Sequence, residues 1–207
     1  MKALLIGHGA REHAIAEALV NSGSILYAYM KTRNPGIARL SKDFKTGSLN
    51  SFNDIIEFAK NVDFCIIGPE DPLAEGIVDR LEDAGIRCIG PRRTVARLES
   101  SKSFTRLLLT KYNIPGNPEY RVFEDMREVR DYLQTSGSIV VKPDGLTGGK
   151  GVKVWGEHLN NIREAEEYIQ ELIKKDGRVV VEEKLDGEEF TLQAFVDGEH
   201  VVGSPLV

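Results

Sequence analysis

Lys142 and Lys150 bracket the most chemically suggestive stretch of the chain. It runs Ile139-Val-Val-Lys-Pro-Asp-Gly-Leu-Thr-Gly-Gly-Lys-Gly-Val-Lys-Val154: a β-branched run, a glycine-rich loop, then a second β-branched run. Glycines let backbone N–H groups come close to an anion, because no Cβ blocks the approach and positive φ is accessible. The two lysines add positive charge where the phosphates of a nucleotide would lie. A Walker loop, GxxxxGK[ST], ends in Lys-Ser/Thr and opens a helix. Here Lys150 is followed by Gly151 and then by strand residues, which excludes that motif. The pattern fits a strand–loop–strand phosphate clamp, and its bland alternative is a mobile hairpin tip.

A second phosphate-sized feature lies at the N-terminus, where Gly7-His-Gly-Ala-Arg-Glu12 follows a strand and opens a helix. The third glycine of GxGxxG is replaced by Glu12, and Tyr27–Arg33 contains no carboxylate to hold a ribose, so the dinucleotide reading is incomplete. Oriented amides at such a turn still bind a phosphate, and Arg11 could pair with it. A small sugar phosphate suits the site; a plain tight turn is the alternative. In Gly68-Pro-Glu-Asp-Pro72, Glu70 could hold a ribose hydroxyl or an amine, or could cap the next helix. Val181-Glu-Glu-Lys-Leu-Asp-Gly-Glu-Glu-Phe190 is an apolar strand running into carboxylates, suited either to a nucleotide hinge or to ordinary surface charge. His8 and His13 alone are a weak metal signal and read as loop and helix-surface residues.

These features need a scaffold. The first hundred residues alternate apolar runs (2–7, 25–30, 63–68, 86–90) with helical patterns (11–22, 51–60, 72–84), which predicts a parallel, doubly wound sheet. Ligands of such sheets bind beyond the strands' carboxyl ends, which here are 7–12, 31–36, 68–72 and 90–93. Beyond Leu98 the pattern predicts an α+β unit: a basic helix over 102–112, a strand over 120–123, a helix over 124–135, the glycine hairpin, a helix around Ile162–Ile173 and a strand over 178–183. Two antiparallel strands turning at Asp197-Gly198 should follow.

The 207 residues suffice for two compact units. With 27 basic and 32 acidic residues the net charge is −5, which offers no global attraction to nucleic acid or acidic membranes. Cys65 and Cys88 read as reduced core thiols, and there is no h-region or long apolar stretch, so a cytoplasmic protein without nucleic-acid or membrane partners is expected. The apolar strand ending at Val207 would leave a sheet edge open, which makes self-association through that edge an expectation.

Taken together, GHGAREHAIAEAL, IIGPEDPLAEGIVD, IGPRRTVARLESSKSFTRLLL, IVVKPDGLTGGKGVKV and VVVEEKLDGEEFTLQAFVDGEHVV resemble the phosphoribosylamine–glycine ligase (glycinamide ribonucleotide synthetase) family of ATP-grasp ligases. The KP and TGG variants are similar to its archaeal branch. The resemblance implies an α/β fold in which a Rossmann-like pre-ATP-grasp substrate domain (1–99) leads through a helical connection (100–118) into a small ATP-grasp lid with the glycine-rich loop (119–186). The first strands of an incomplete ATP-grasp core (187–207) would follow.

The resemblance also implies roles. Lys102 and Lys142 would contact the α- and β-phosphates of ATP, and Gly148, Gly149, Lys150 and Gly151 would close over the β- and γ-phosphates. Glu182 and Leu185 would hold adenine with Glu183 beside them, and Glu189 would take the ribose hydroxyls. Gly9, Arg11, Glu12, Asn34, Pro35, Gly36, Pro69 and Glu70 would line the phosphoribosylamine pocket. The implied reaction phosphorylates glycine with ATP and transfers the glycyl group to the amine of 5-phosphoribosylamine in purine biosynthesis. The family's Mg²⁺ (or Mn²⁺) ligands lie in a later segment absent from this sequence, so the chain is expected to be an N-terminal half, inactive alone. A non-catalytic nucleotide-binding module, another ATP-grasp carboxylate–amine ligase and an NAD enzyme built on the first domain stand as alternatives.

Overall fold

The computed structural model describes residues 1–148 and 150–203. The first unit contains β1 (Lys2–Ile6), α1 (Ala10–Asn21), β2 (Ile25–Met30), α2 (Pro35–Leu40), β3 (Asp43–Thr46), α3 (Phe52–Ala59), β4 (Phe64–Ile67), α4 (Glu70–Ala74), α5 (Ile77–Asp83), β5 (Cys88–Ile89) and α6 (Arg93–Ser100). Its five strands pair in parallel in the order β3-β2-β1-β4-β5. Period-2 alternation sends successive side chains of β1 to opposite faces. Leu4 and Ile6 join Ile55, Ile77 and Leu81 on one side, while Leu5 joins Ala16, Ala28, Met30 and Ile37 on the other. Both faces are therefore covered by helices, as a parallel sheet requires. Cys65 and Cys88 are free thiols in register on neighbouring strands, and Cys65 is pushed up by its hydrogen bond with Cys88 and by burial.

One sequence expectation changes here, and three elements are additions. The helix expected over 72–84 is two helices, because Gly76 at φ +90 breaks it. Helix α2 is an addition, started by Asn34, whose side chain accepts from the N–H groups of Gly36 and Ile37, and by Pro35 in the first turn. The edge strand β3 and helix α6 are additions too.

The second unit comprises α7 (Lys102–Lys111), β6 (Tyr120–Phe123), α8 (Val129–Thr135), β7 (Ile139–Pro143), β8 (Lys153–Val154), α9 (Ile162–Asp176) and β9 (Val179–Glu183); a separate antiparallel pair, β10 (Ala194–Val196) and β11 (Val201–Gly203), follows. The sheet order is β6-β9-β7-β8, all antiparallel. Helix α8 starts five residues later than expected: Asp125 accepts the Arg127 N–H in a local turn and Glu128 takes φ +62, which keeps 124–128 out of the helix. Helix α9 is capped by Asn161, which accepts from Glu164 N–H at 3.0 Å, and ends on the left-handed Gly177.

Alternation along β7 and β9 decides what each sheet face does. Ile139, Val141, Val179 and Val181 pack with α8 and α9 through Val129, Leu133, Ala165, Ile169 and Leu172. The intervening residues Lys142 and Glu182 fall on the opposite face, where α7 packs against β9. One face is thus an apolar core, and the other carries charge.

Candidate functional site

Strands β1, β2 and β4 are neighbours, so the loops at their carboxyl ends converge in one crevice. Asn34 Nδ2 donates to the His8 carbonyl at 2.9 Å, joining the first two loops. Arg11 Nη2 donates to Glu70 Oε1 at 2.8 Å, joining the first and third. Pro69 is the residue preceding α4, and Glu70 is its first residue. Asn34 and the loop before α1 are thereby joined, as are Arg11 and Glu70, at the carboxyl ends of adjacent strands.

Glu12 belongs to the same cluster from beneath. It is buried; its Oε2 accepts the Gly9 N–H at 2.6 Å and its Oε1 accepts Arg11 Nε at 3.2 Å. Where a third glycine would stand in a dinucleotide loop, this carboxylate props the turn from below. The space it takes explains the glycines around it: a Cβ on Gly68 would lie 2.4 Å from Glu12 Cγ, and one on Gly7 2.6 Å from the same atom. For Glu70, burial favours the neutral acid, but its own backbone N–H and the Arg11 guanidinium outweigh that and hold it below the usual carboxylate range. The crevice therefore presents an ionised carboxylate beside a guanidinium, a pair able to receive an amine and a phosphate.

The second half of the site lies at the base of the glycine loop. Asp144 closes β7 onto the start of α7: its Oδ1 accepts Ser103 N–H at 2.6 Å, its Oδ2 accepts Ser101 Oγ–H at 3.0 Å, and its carbonyl accepts Lys102 N–H at 3.1 Å. Lys102 Nζ donates to the Gly145 carbonyl at 2.9 Å. Burial lowers the Lys102 pKa, opposed by Asp144 and reinforced by Lys142. On the adjacent sheet face Glu182 Oε1 accepts Arg106 Nε at 2.6 Å, and its Oε2 accepts both Arg106 Nη2 at 3.0 Å and Lys142 Nζ at 2.6 Å. The Glu182 side chain is 3% exposed, against 21% for Arg106 and 24% for Lys142. Burial would raise the Glu182 pKa, and the two cations reverse this and hold it low.

The loop itself is held at its far end by Tyr168, whose hydroxyl donates to the Gly151 carbonyl at 2.6 Å. Gly148 at φ +58 and Gly151 at φ +85 occupy the left-handed region. Lys150 is exposed with its N–H bonded to the Thr147 carbonyl, while Gly149 lies outside the described residues. Tyr168→Phe removes the anchor and leaves the ring in place. Amide hydrogen exchange in residues 145–152 should quicken by about five- to tenfold, the loss of one hydrogen bond of about 1 kcal/mol, with the melting midpoint little changed.

Glu183 Oε1 accepts the Glu119 N–H at 2.8 Å, tying the end of β9 to the start of β6. Leu185 and Glu189 are exposed in the stretch after β9, with Glu189 on an open surface beside Glu188, Phe190 and Thr191. They are not drawn into the charged cluster. A cavity of about 170 Å³ is lined by Glu70, Leu73, Val95 and Leu98 of the first unit and by Leu146 of the glycine loop. Sequence reasoning passed over Arg106, Asp144 and Tyr168. Asp144 alone carried a local signal, standing between the strand lysine and the glycines.

The family described as "Phosphoribosylglycinamide synthetase, N domain" matches residues 1–99, and "Phosphoribosylglycinamide synthetase, ATP-grasp (A) domain" matches residues 100–207. The phosphoribosylamine–glycine ligase of Methanopyrus kandleri is 50% identical over 217 aligned residues, which cover all of this chain and 48% of that protein. The phosphoribosylamine–glycine ligase structure from Thermotoga maritima superposes with a TM-score of 0.79 at 28% identity, over all of this chain and 49% of its own. An ADP complex of N5-carboxyaminoimidazole synthetase from Staphylococcus aureus has a TM-score of 0.80 at 15% identity, covering 99% of this chain and 53% of that one, and shows the fold alone. The chain spans about half the length of the curated relatives it matches. With a propped glycine turn in the first unit, a lysine and glycine hairpin in the second, and family matches that run from residue 1 to residue 207, the chain belongs to the phosphoribosylglycinamide synthetase family of ATP-grasp proteins.

Proposed function

We propose that this chain carries the nucleotide-phosphate and phosphoribosylamine sites of a cytoplasmic ligase of purine biosynthesis. The reaction joins glycine to 5-phosphoribosylamine, giving glycinamide ribonucleotide, ADP and phosphate. The observation that carries this reading is the convergence of Lys102 and Lys142 at the root of the glycine loop, with Glu70 and Leu146 on one cavity between the two half-sites.

In the proposed chemistry, a glycine carboxylate oxygen attacks the γ-phosphorus and ADP leaves. The neutral amine of phosphoribosylamine then attacks the glycyl carbon, forming the amide as phosphate departs with the C–O electron pair. Lys102, Lys142 and the N–H groups of 148–151 would bind the nucleotide's phosphates and so disperse the charge that builds on them. The segment Glu182–Leu185 and Glu189 would receive the base and ribose. Arg11 would bind the sugar phosphate, with the Gly9 turn and Asn34-Pro35-Gly36 shaping its pocket and Pro69 and Glu70 facing the amine. Glu12 would act from below, by holding the Gly9 amide in place. Among the described residues, no group of three or more His, Cys, Asp or Glu is placed to hold a metal ion, so no residue here is assigned to the family's Mg²⁺.

Titration calorimetry tests the reading. The purified chain should give a saturable ATP isotherm and none with NAD. Absence of ATP binding, or NAD binding lost on altering Gly7 or Gly9, would overturn it.

A further inference from the structure

Arg106 stands on α7 four residues after Lys102, so both project from one side of the helix toward the charged sheet face. Its guanidinium grips both oxygens of Glu182 as a fork, and a further N–H reaches Asn117 Oδ1 at 3.4 Å. Asn117 Nδ2 returns a bond to the Arg106 carbonyl at 3.2 Å. Lys142 adds a single bond to an oxygen that Arg106 already holds. Two cations thus share one buried carboxylate, leaving the group with excess positive charge.

We infer that Arg106 is a positioning residue of the phosphate clamp: by neutralising Glu182 on its own, it leaves Lys142 free to turn to a bound polyphosphate. The inference rests on the nucleotide reading of the hairpin. When Lys142 swings away, Glu182 keeps a bond on each oxygen and a balancing charge. Without Arg106, Lys142 is the carboxylate's counterion, and its departure strands a buried negative charge, a costly state. The availability of Lys142 is therefore set by a residue that need not touch the nucleotide. Lysine in place of arginine would hold only one oxygen at a time.

The test compares ATP, inorganic tripolyphosphate and adenosine as ligands of the chain and of Arg106→Met. ATP and tripolyphosphate affinity should fall about tenfold or more in the variant, while adenosine affinity, followed by ligand-observed NMR, stays at the wild-type value. The double variant R106M/E182Q, which removes the stranded charge, should recover most of the loss in tripolyphosphate affinity, a ligand with no base to touch residue 182. Equal affinity in R106M and wild type, an equal loss for adenosine, or no recovery in the double variant would each overturn the role of Arg106. If R106M does not fold, the double variant carries the test alone, and polyphosphate affinity about tenfold below wild type overturns the inference. A wild-type chain that binds neither ATP nor tripolyphosphate would instead remove the nucleotide reading itself.

Discussion

Lys142→Ala is expected to cost about 1.5–3 kcal/mol of ATP binding, roughly 10- to 150-fold in Kd, the range for hydrogen bonds to charged groups. The structure makes this a clean experiment. Glu182 retains the bidentate Arg106 when Lys142 is removed, so no buried carboxylate is left bare and the sheet register has no reason to change. Calorimetry should then show a weaker ATP isotherm with a nearly unaltered urea midpoint. Unchanged affinity would mean that the hairpin does not grip the phosphates.

Glu182→Ala is expected to act in the opposite sense, on stability first. Removing the carboxylate leaves Arg106 and Lys142 side by side on a largely covered face, with their shared counter-charge gone. Breaking a buried ion pair from one side costs about 3–5 kcal/mol, and the lower end applies because both cations keep some access to water. The pH dependence carries the same signature. Glu182 is held below the ordinary carboxylate value in the folded chain, so its contribution is complete above the unfolded pKa of about 4.3 and is lost as pH falls through the lower folded value. The gap in urea midpoint between wild type and variant should be widest near neutrality and narrow below about pH 4. A gap independent of pH would point to lost packing alone.

The scaffold was legible where one period dominated. Ile25–Met30 and Tyr120–Phe123 are strands over the spans their apolar runs suggest. Helix α9 follows its apolar stripe, with Asn161 before it and Gly177 after it as the usual stop signals. Misreadings fell where a single residue's φ overrode a longer pattern, as Gly76 does between α4 and α5 and Glu128 does before α8. The start of α2 was readable in principle, since Asn34-Pro35 is a cap followed by a first-turn proline. Strand β3 is four residues at a sheet edge, too short for alternation to stand out.

The site divides in the same way. Residues proposed at a strand end or in the glycine loop stand where the local sequence puts them, after β1, β2, β4 and β7. Arg106 was not legible in the sequence, because on its own helix it is one basic residue among several, and what distinguishes it is a carboxylate 76 positions later in the chain. Glu12 was visible as an oddity in a glycine motif, but only the fold shows that it fills the space that Gly7 and Gly68 leave open.

Ser101 closes α6 and opens α7 in an extended conformation, φ −140 and ψ 105. Immediately after it, α7 is bolted to the end of β7 through Asp144 and Gly145. The helix start that carries Lys102 and the strand end that carries Lys142 are thereby fixed to each other at one corner, Asp144, so the spacing of the two lysines' backbones depends on that single residue.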